Sequence, residues 1–263
     1  MFGNLTPMVK NLLLINVGVF LIQYILEVNL PQILGLRYIF STEFEPYQIF
    51  AHIFVHADGW HLFSNMFALF IFGPLLERFW GSGKFLIFYL FTGLGASLLF
   101  SVINYFEIRQ IEVAAQEYVA NPVPERFESF VTEHAEYLYS RNYAFIEQFH
   151  ENPQEPSLIE QSKQFVNSFY TRMANIPMVG ASGAVFGILM AFGYLFPNTT
   201  LMLLIPPIPI KAKYFVTFYG LYELYAGIQR MPGDNVAHFA HIGGMLFAFI
   251  LIKIWQTKGG DFY

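Results

Sequence analysis

The sequence predicts an all-α, polytopic membrane protein: a bundle of six transmembrane helices with a helical insert between the third and the fourth. Three observations carry that class. Of 263 residues, 55% are hydrophobic, 19% aromatic and only 13% charged, with a mean hydropathy of +0.44, too apolar for an ordinary soluble domain. Six apolar runs, at 8–26, 59–79, 85–106, 180–196, 214–229 and 236–255, approach the roughly 20 residues that cross a hydrocarbon core about 30 Å thick. A polar stretch, 107–176, separates the third run from the fourth. The chain therefore divides into 1–106 (helices 1 to 3), 107–176 (the insert) and 177–263 (helices 4 to 6). With no cysteine, disulfides, thiol chemistry and Cys-based metal sites are excluded. A net charge of −5 and the lack of a basic stripe argue against a nucleic-acid partner.

The first run is long enough to remain as a span instead of acting as a cleaved signal. The second follows "AHIFVHADGWHLFSNMFALF", where Asp58 is placed to cap the helix. His61 and Asn65, four apart, share one face of that helix. His52 and His56 precede the cap and suit a loop-pinning role through hydrogen bonds. Glu77, at the inner end, reads as a polar anchor able to bond to the following "GSGK" loop.

The insert holds eleven Glu against five Arg plus Lys. Phe127, Phe130, His134, Tyr137 and Arg141 recur at helical spacing, as do Leu158, Ser162, Phe165, Phe169 and Met173, so two or three amphipathic helices are expected, broken at "ENPQEPS" by its prolines. They form either a hairpin cap above the membrane or helices lying along its surface. With no serine, histidine and carboxylate constellation, the insert points to a structural or interaction role, its partner unidentified.

The fourth run, in "NIPMVGASGAVFGILMAFGYLF", is short: at 1.5 Å per residue it reaches about 25 Å, so one end starts inside the bilayer. Gly180, Ala184 and Gly187 at small-xxx-small spacing suit close helix packing, and Ser182 sits among them. The fifth run is also short and carries Glu223, costly as a bare carboxylate and read as protonated or hydrogen-bonded towards the bundle interior, with a gating role open. The sixth, in "DNVAHFAHIGGMLFAF", carries His238 and His241 and is expected to begin near Asp234. Counting from Asp58 and Asp234, Asn65 and His241 each lie about 10 Å below the outer boundary, the depth of the sunken Ser182.

Lys10, Arg78, Lys84, Lys211, Lys213, Lys253 and Lys258 fall on one side of the spans, with only Arg37 and Arg230 in the short loops of the other. The positive-inside rule then puts both termini in the cytoplasm, and the insert and the mouth of the site outside it. A bacterial inner membrane is the expected location.

A hydroxyl, imidazoles and an amide at one depth suit nucleophilic hydrolysis. A serine needs a base to take its proton, and neutral imidazole is fitted to that. His241 is the candidate base; Asn65, His61 and the Ser182 N–H, at a positive helix end, are candidate oxyanion donors. No buried Asp is positioned to orient the histidine, so a dyad is expected. G-x-S-x-G after a strand is not met, because residue 184 is Ala in a helical setting. Gly183, Gly187, Gly243 and Gly244 would let helices four and six approach until Ser182 and His241 bond. A histidine-based metal site or transporter is the rival from these residues, but no His-Glu-x-x-His run supports it.

"HADGWHLFSNMF", "GASGAVFG", "AHIGG" and "ERFWGSGK", in this order across six spans, resemble the rhomboid intramembrane serine proteases. The resemblance covers roughly 8–106 and 176–255. It implies a rhomboid-like core with Ser182 as nucleophile, His241 as base, and His61 and Asn65 with the Ser182 amide as oxyanion site. It further implies no metal or other cofactor, and as substrates membrane proteins with a helix-destabilised transmembrane segment cut near its outer end. A catalytically inactive, client-binding relative is the alternative; the intact serine and histidine speak against it. The family's frequent Trp-Arg motif is not evident in "LPQILGLRYIFSTEFEPYQ", Phe186 stands where a tyrosine often stacks on the catalytic histidine, and the insert lies outside the common core.

Overall fold

The computed structural model describes residues 5–203, 206–229 and 236–258. They fall into two compact units: Met1–Leu36, Phe44–Ser101 and Pro177–Tyr263 in the first, Arg37–Glu43 and Val102–Ile176 in the second.

In the first unit α1 (Pro7–Ile25) opens on a proline, whose missing N–H is harmless in the first turn. Short helices α2 (Leu30–Leu34) and α3 (Gln48–Ala51) follow, then α4 (Gly59–Trp80). Asp58 does cap α4, its Oδ1 accepting the His61 N–H at 2.8 Å. The long α5 (Ser82–Ala120) begins after Gly81 and contributes its first half to this unit. Next come α9 (Ser182–Leu195), an antiparallel ribbon of β1 (Thr200–Met202) on β2 (Pro209–Lys211), α10 (Ala212–Gln229) and α11 (His238–Lys258). The ribbon, three residues a strand beside a proline-rich turn, was not expected and does not alter the all-α class.

Four of these helices, α1, α4, α5 and α11, are long and apolar enough to cross a membrane. The other two expected spans exist as helices but are different in kind. At 14 residues α9 rises about 21 Å. It packs against α4, α10 and α11 and is buried almost all round, which is where a helix apolar on every face belongs. By contrast α10 carries Glu223. Large apolar side chains stay exposed on the outer faces, Leu14, Leu21 and Ile22 on α1 and Phe218, Leu221 and Ile228 on α10 among them. Such a surface suits lipid and not water.

Glu77 does more than anchor a loop. Ser82 Oγ donates to its Oε1 at 2.6 Å, as its place beside "GSGK" suggested, and its two oxygens also accept the Met8 and Val9 N–H groups at 2.9 and 2.8 Å. A buried carboxylate on α4 thus satisfies orphan donors of the first turn of α1. Glu77→Leu would leave those donors without an acceptor. The expected cost is about 3 kcal/mol, read as a lowered thermal midpoint in detergent.

The second unit contains the rest of α5, then α6 (Pro124–His134), α7 (Tyr139–Glu151) and α8 (Pro156–Ala174). Its helices enclose a core of their own. Phe127 lies at its centre, edge-on to Phe145, Phe149 and Phe165 at centroid distances of 5.4, 6.3 and 5.5 Å. The expected break at "ENPQEPS" falls between α7 and α8. Two expectations shift. The helix that contains the third apolar run does not stop at 106, because Ile108, Ile111, Ala115 and Tyr118 keep one helical face apolar and buried, and α5 runs on to Ala120. Tyr137 and Arg141 do not extend the α6 periodicity, since α6 stops at His134 and a tight turn follows; Tyr137 is exposed. On the surface of this unit Tyr139 and His150 both bond to Glu128, at 2.8 and 3.0 Å, and hold its carboxyl below the usual range.

Candidate active site

The residues singled out in the sequence lie on α4, α9 and α11 of the first unit. Ser182 is the first residue of α9 and half-buried. The chain arrives at it along a well-tied path. Leu36 and Met178 exchange both backbone bonds at 2.8 Å, and the Gly180 N–H donates to His52 O at 2.9 Å. His52 in turn bonds through Nδ1 to Gln48 O, and His56 Nε2 accepts from the Ala181 N–H at 3.5 Å. Both histidines therefore tether the backbone leading into Ser182, the loop-pinning role their positions suggested.

Gly180 has φ +117°, and a Cβ built on it would lie 2.5 Å from His61 Nε2. Only glycine fits there, both for the backbone angle and for the ring pressed against it. His61 thus packs directly on the segment preceding the serine. Asn65, one turn on and buried, gives one amide hydrogen to His61 O at 2.9 Å, and its NH2 has a second to give.

On the opposite side, a Cβ on Gly244 of α11 would come within 1.9 Å of Gly183 O, the closest approach of the two helices at any glycine. Gly183, next to Ser182, therefore lies against the backbone just beyond His241. Three of the four glycines expected to join these helices have their Cβ positions closed off by α5 instead: Gly187 by Thr92, and Gly183 and Gly243 by Ala96. Phe186, one turn after Ser182, stacks face to face on His241, with centroids 4.1 Å apart and planes at 9°. The ring holds the imidazole flat without any hydroxyl.

Asp234, from which the depth of His241 was counted, lies outside the described residues, as does Arg230. α11 begins at His238, so His241 belongs to its first turn, like His61 in α4. What places these groups near α9 is contact instead: His61 lies against Gly180, just before the helix, and His241 against Phe186, one turn into it.

A match to the Rhomboid domain family covers residues 43–107 and 159–256. The chain belongs to the rhomboid family. It is an integral membrane protein. The matched stretches contain Ser182, His241, His61 and Asn65, whereas 108–158 in the second unit falls between them. Similar rhomboids include Rhomboid-like protein 11, chloroplastic, of Arabidopsis thaliana, 39% identical over 88 residues, which are 34% of this chain and 30% of that one. Rhomboid protein 1, mitochondrial, of Saccharomyces cerevisiae is 31% identical over 86 residues, 31% of this chain and 24% of the relative. Rhomboid protease AarA of Providencia stuartii is 41% identical over 54 residues, 20% and 19% of the two chains. The chain spans less than a third of the length of each relative.

His241 has a neighbour in this rhomboid that the sequence did not identify as its partner. Glu223, on α10 and buried, lies with Oε2 2.7 Å from His241 Nδ1 and 2.6 Å from His238 Nδ1. Glu223 was expected to be protonated or hydrogen-bonded towards the bundle interior, with a gating role open; the hydrogen bonds are present, and the identity of their partners is what the sequence did not supply. Its signal was an ionisable residue in an apolar helix, which calls for a named partner. Among the described residues, these three, with ligand atoms within 4.8 Å of one another, form a group that could hold a metal ion. A small cavity of about 10 Å³, room for one water, is lined by Ser182 with His52, Met178, Gly180, Ala237 and Ala240.

Proposed function

We propose that this rhomboid is an intramembrane serine endopeptidase that hydrolyses peptide bonds in or near transmembrane segments of other membrane proteins. The observation that carries the reading is the setting of His241. Its ring is stacked on Phe186, one turn from Ser182, and its Nδ1 is engaged by Glu223, so Nε2 is the nitrogen left to act as a base. In this reading Nε2 takes the Ser182 Oγ proton as the oxygen attacks the scissile carbonyl. The oxyanion is met by the free Asn65 amide hydrogen, by His61, and by the unpaired N–H at the start of α9, where the helix dipole assists. The proton then passes to the leaving amine, and water repeats the sequence on the acyl-enzyme.

The proposed topology keeps both termini in the cytoplasm, with six spans, α9 and α10 completing the four longer ones, and the mouth of the site outside. Residues 107–176, the larger part of the second unit, are then an extracytoplasmic insert between the third and fourth spans.

A fluorophosphonate is expected to label Ser182 in detergent-solubilised protein, located by peptide mass spectrometry, and His241→Ala should reduce the labelling rate severely. Labelling at another serine, or none in protein that cleaves a transmembrane substrate, would refute the assignment. Loss of cleavage with chelator and its return with zinc would instead support a metal-dependent site.

A further inference from the structure

We propose that Glu223 is the positioning residue of His241 and that His238 is the second group holding it, which extends the proposed dyad into a linked Ser182, His241, Glu223 and His238 set. This rests on the protease reading above. Two imidazole Nδ1 atoms, at 2.6 and 2.7 Å, converge on one carboxylate oxygen. A carboxylate only accepts, so both nitrogens carry hydrogen, and each of the two lone pairs of Oε2 is used once. Glu223 is 3% exposed and both histidines are under 10% exposed. A charge so placed persists only when it is paired.

The consequence for His241 is its tautomer and its angle. With Nδ1–H committed to Glu223, the lone pair resides on Nε2, the form a base for Ser182 requires. Two constraints then fix the ring: Phe186 sets its plane and Glu223 its rotation within that plane. During turnover the proton leaving Ser182 Oγ goes to Nε2 and onward to the leaving amine, while Glu223 keeps its charge and faces the imidazolium. His238, one turn before His241 on α11, stops the carboxylate from swinging away when His241 changes charge.

Glu223→Gln is the test. A glutamine amide can donate to Nδ1 and so favour the Nε2–H tautomer, which cannot accept the serine proton. We expect kcat to fall at least ~100-fold with KM within about twofold, and the thermal midpoint to stay near wild type. A kcat within about threefold of wild type would overturn the proposal. A second measurement needs no variant to be active: with 15N-histidine, wild-type protein should show a far-downfield Nδ1–H resonance that His241→Gln removes. Its absence from the wild type also overturns the proposal. Wild-type protein that neither cleaves a substrate nor labels at Ser182 would sink the protease reading instead, whatever the resonance shows. Chelator-sensitive activity restored by zinc would convert the three residues into a metal site and overturn the positioning role.

Discussion

Ser182→Ala is expected to abolish cleavage of a reporter transmembrane substrate in proteoliposomes while leaving the protein folded. Nucleophile and base act as a unit, so removing either should lower kcat/KM by at least ~10⁴-fold, above about 5 kcal/mol of transition-state stabilisation. The substitution is clean because the cap position of α9 is Ala181, and Ser182 is half-buried at the head of the helix. Deleting one oxygen there should move stability by no more than about 1 kcal/mol. Cleavage at a near wild-type rate would remove Ser182 from the mechanism. His241→Ala should match the activity loss and cost more in stability, because it also takes away the ring stacked on Phe186 and one of the two donors to Glu223. Protein that unfolds earlier but turns over normally would show that the imidazole is only a packing element.

The difference between those two substitutions follows the line between what the sequence makes legible and what it hides. Ser182, His61 and Asn65 were readable because each depends on local rules: a helix start, a cap at Asp58, and a four-residue spacing that puts two side chains on one face. His241 was readable as a polar residue in an apolar helix, though its depth was counted from a helix start that α11 does not use. Glu223 was visible as an anomaly but not as a partner, since its contact joins α10 to α11 and no spacing within either helix encodes it. The same holds for Glu77. Its link to Ser82 is five residues long, whereas its capping of Met8 and Val9 crosses 69 and 68 residues of chain. In the second unit, aromatic periodicity revealed the helices but could not tell that the pattern at Tyr137 and Arg141 belongs to a turn and a new helix.

Small residues make the point most sharply, because the sequence announces close packing without saying which helices meet. Gly183, Gly187 and Gly243 all turn their Cβ positions towards α5, and of the four it is Gly244 whose Cβ position meets the backbone of α9. A Cβ at position 244 would sit 1.9 Å from Gly183 O and 2.8 Å from Gly183 C. Those are backbone atoms in the first turn of a helix, so no rotamer change can relieve the overlap. The helices must separate, and the two residues that bear the strain adjoin Ser182 on one side and follow His241 by less than a turn on the other. Gly244→Ala is therefore expected to cost about 3 kcal/mol or more in stability. It should also lower kcat by roughly 100-fold, since a displacement near 1 Å between reacting groups is enough for that. Gly18→Ala is the matched comparison: a Cβ on this α1 glycine meets nothing within 4 Å, so the same methyl should leave both stability and turnover near wild type. Thermal unfolding and kcat measured on the two variants separate a general effect of alanine from this contact. If Gly244→Ala proved as stable and active as Gly18→Ala, neither stability nor turnover would depend on the close backbone approach of α9 and α11.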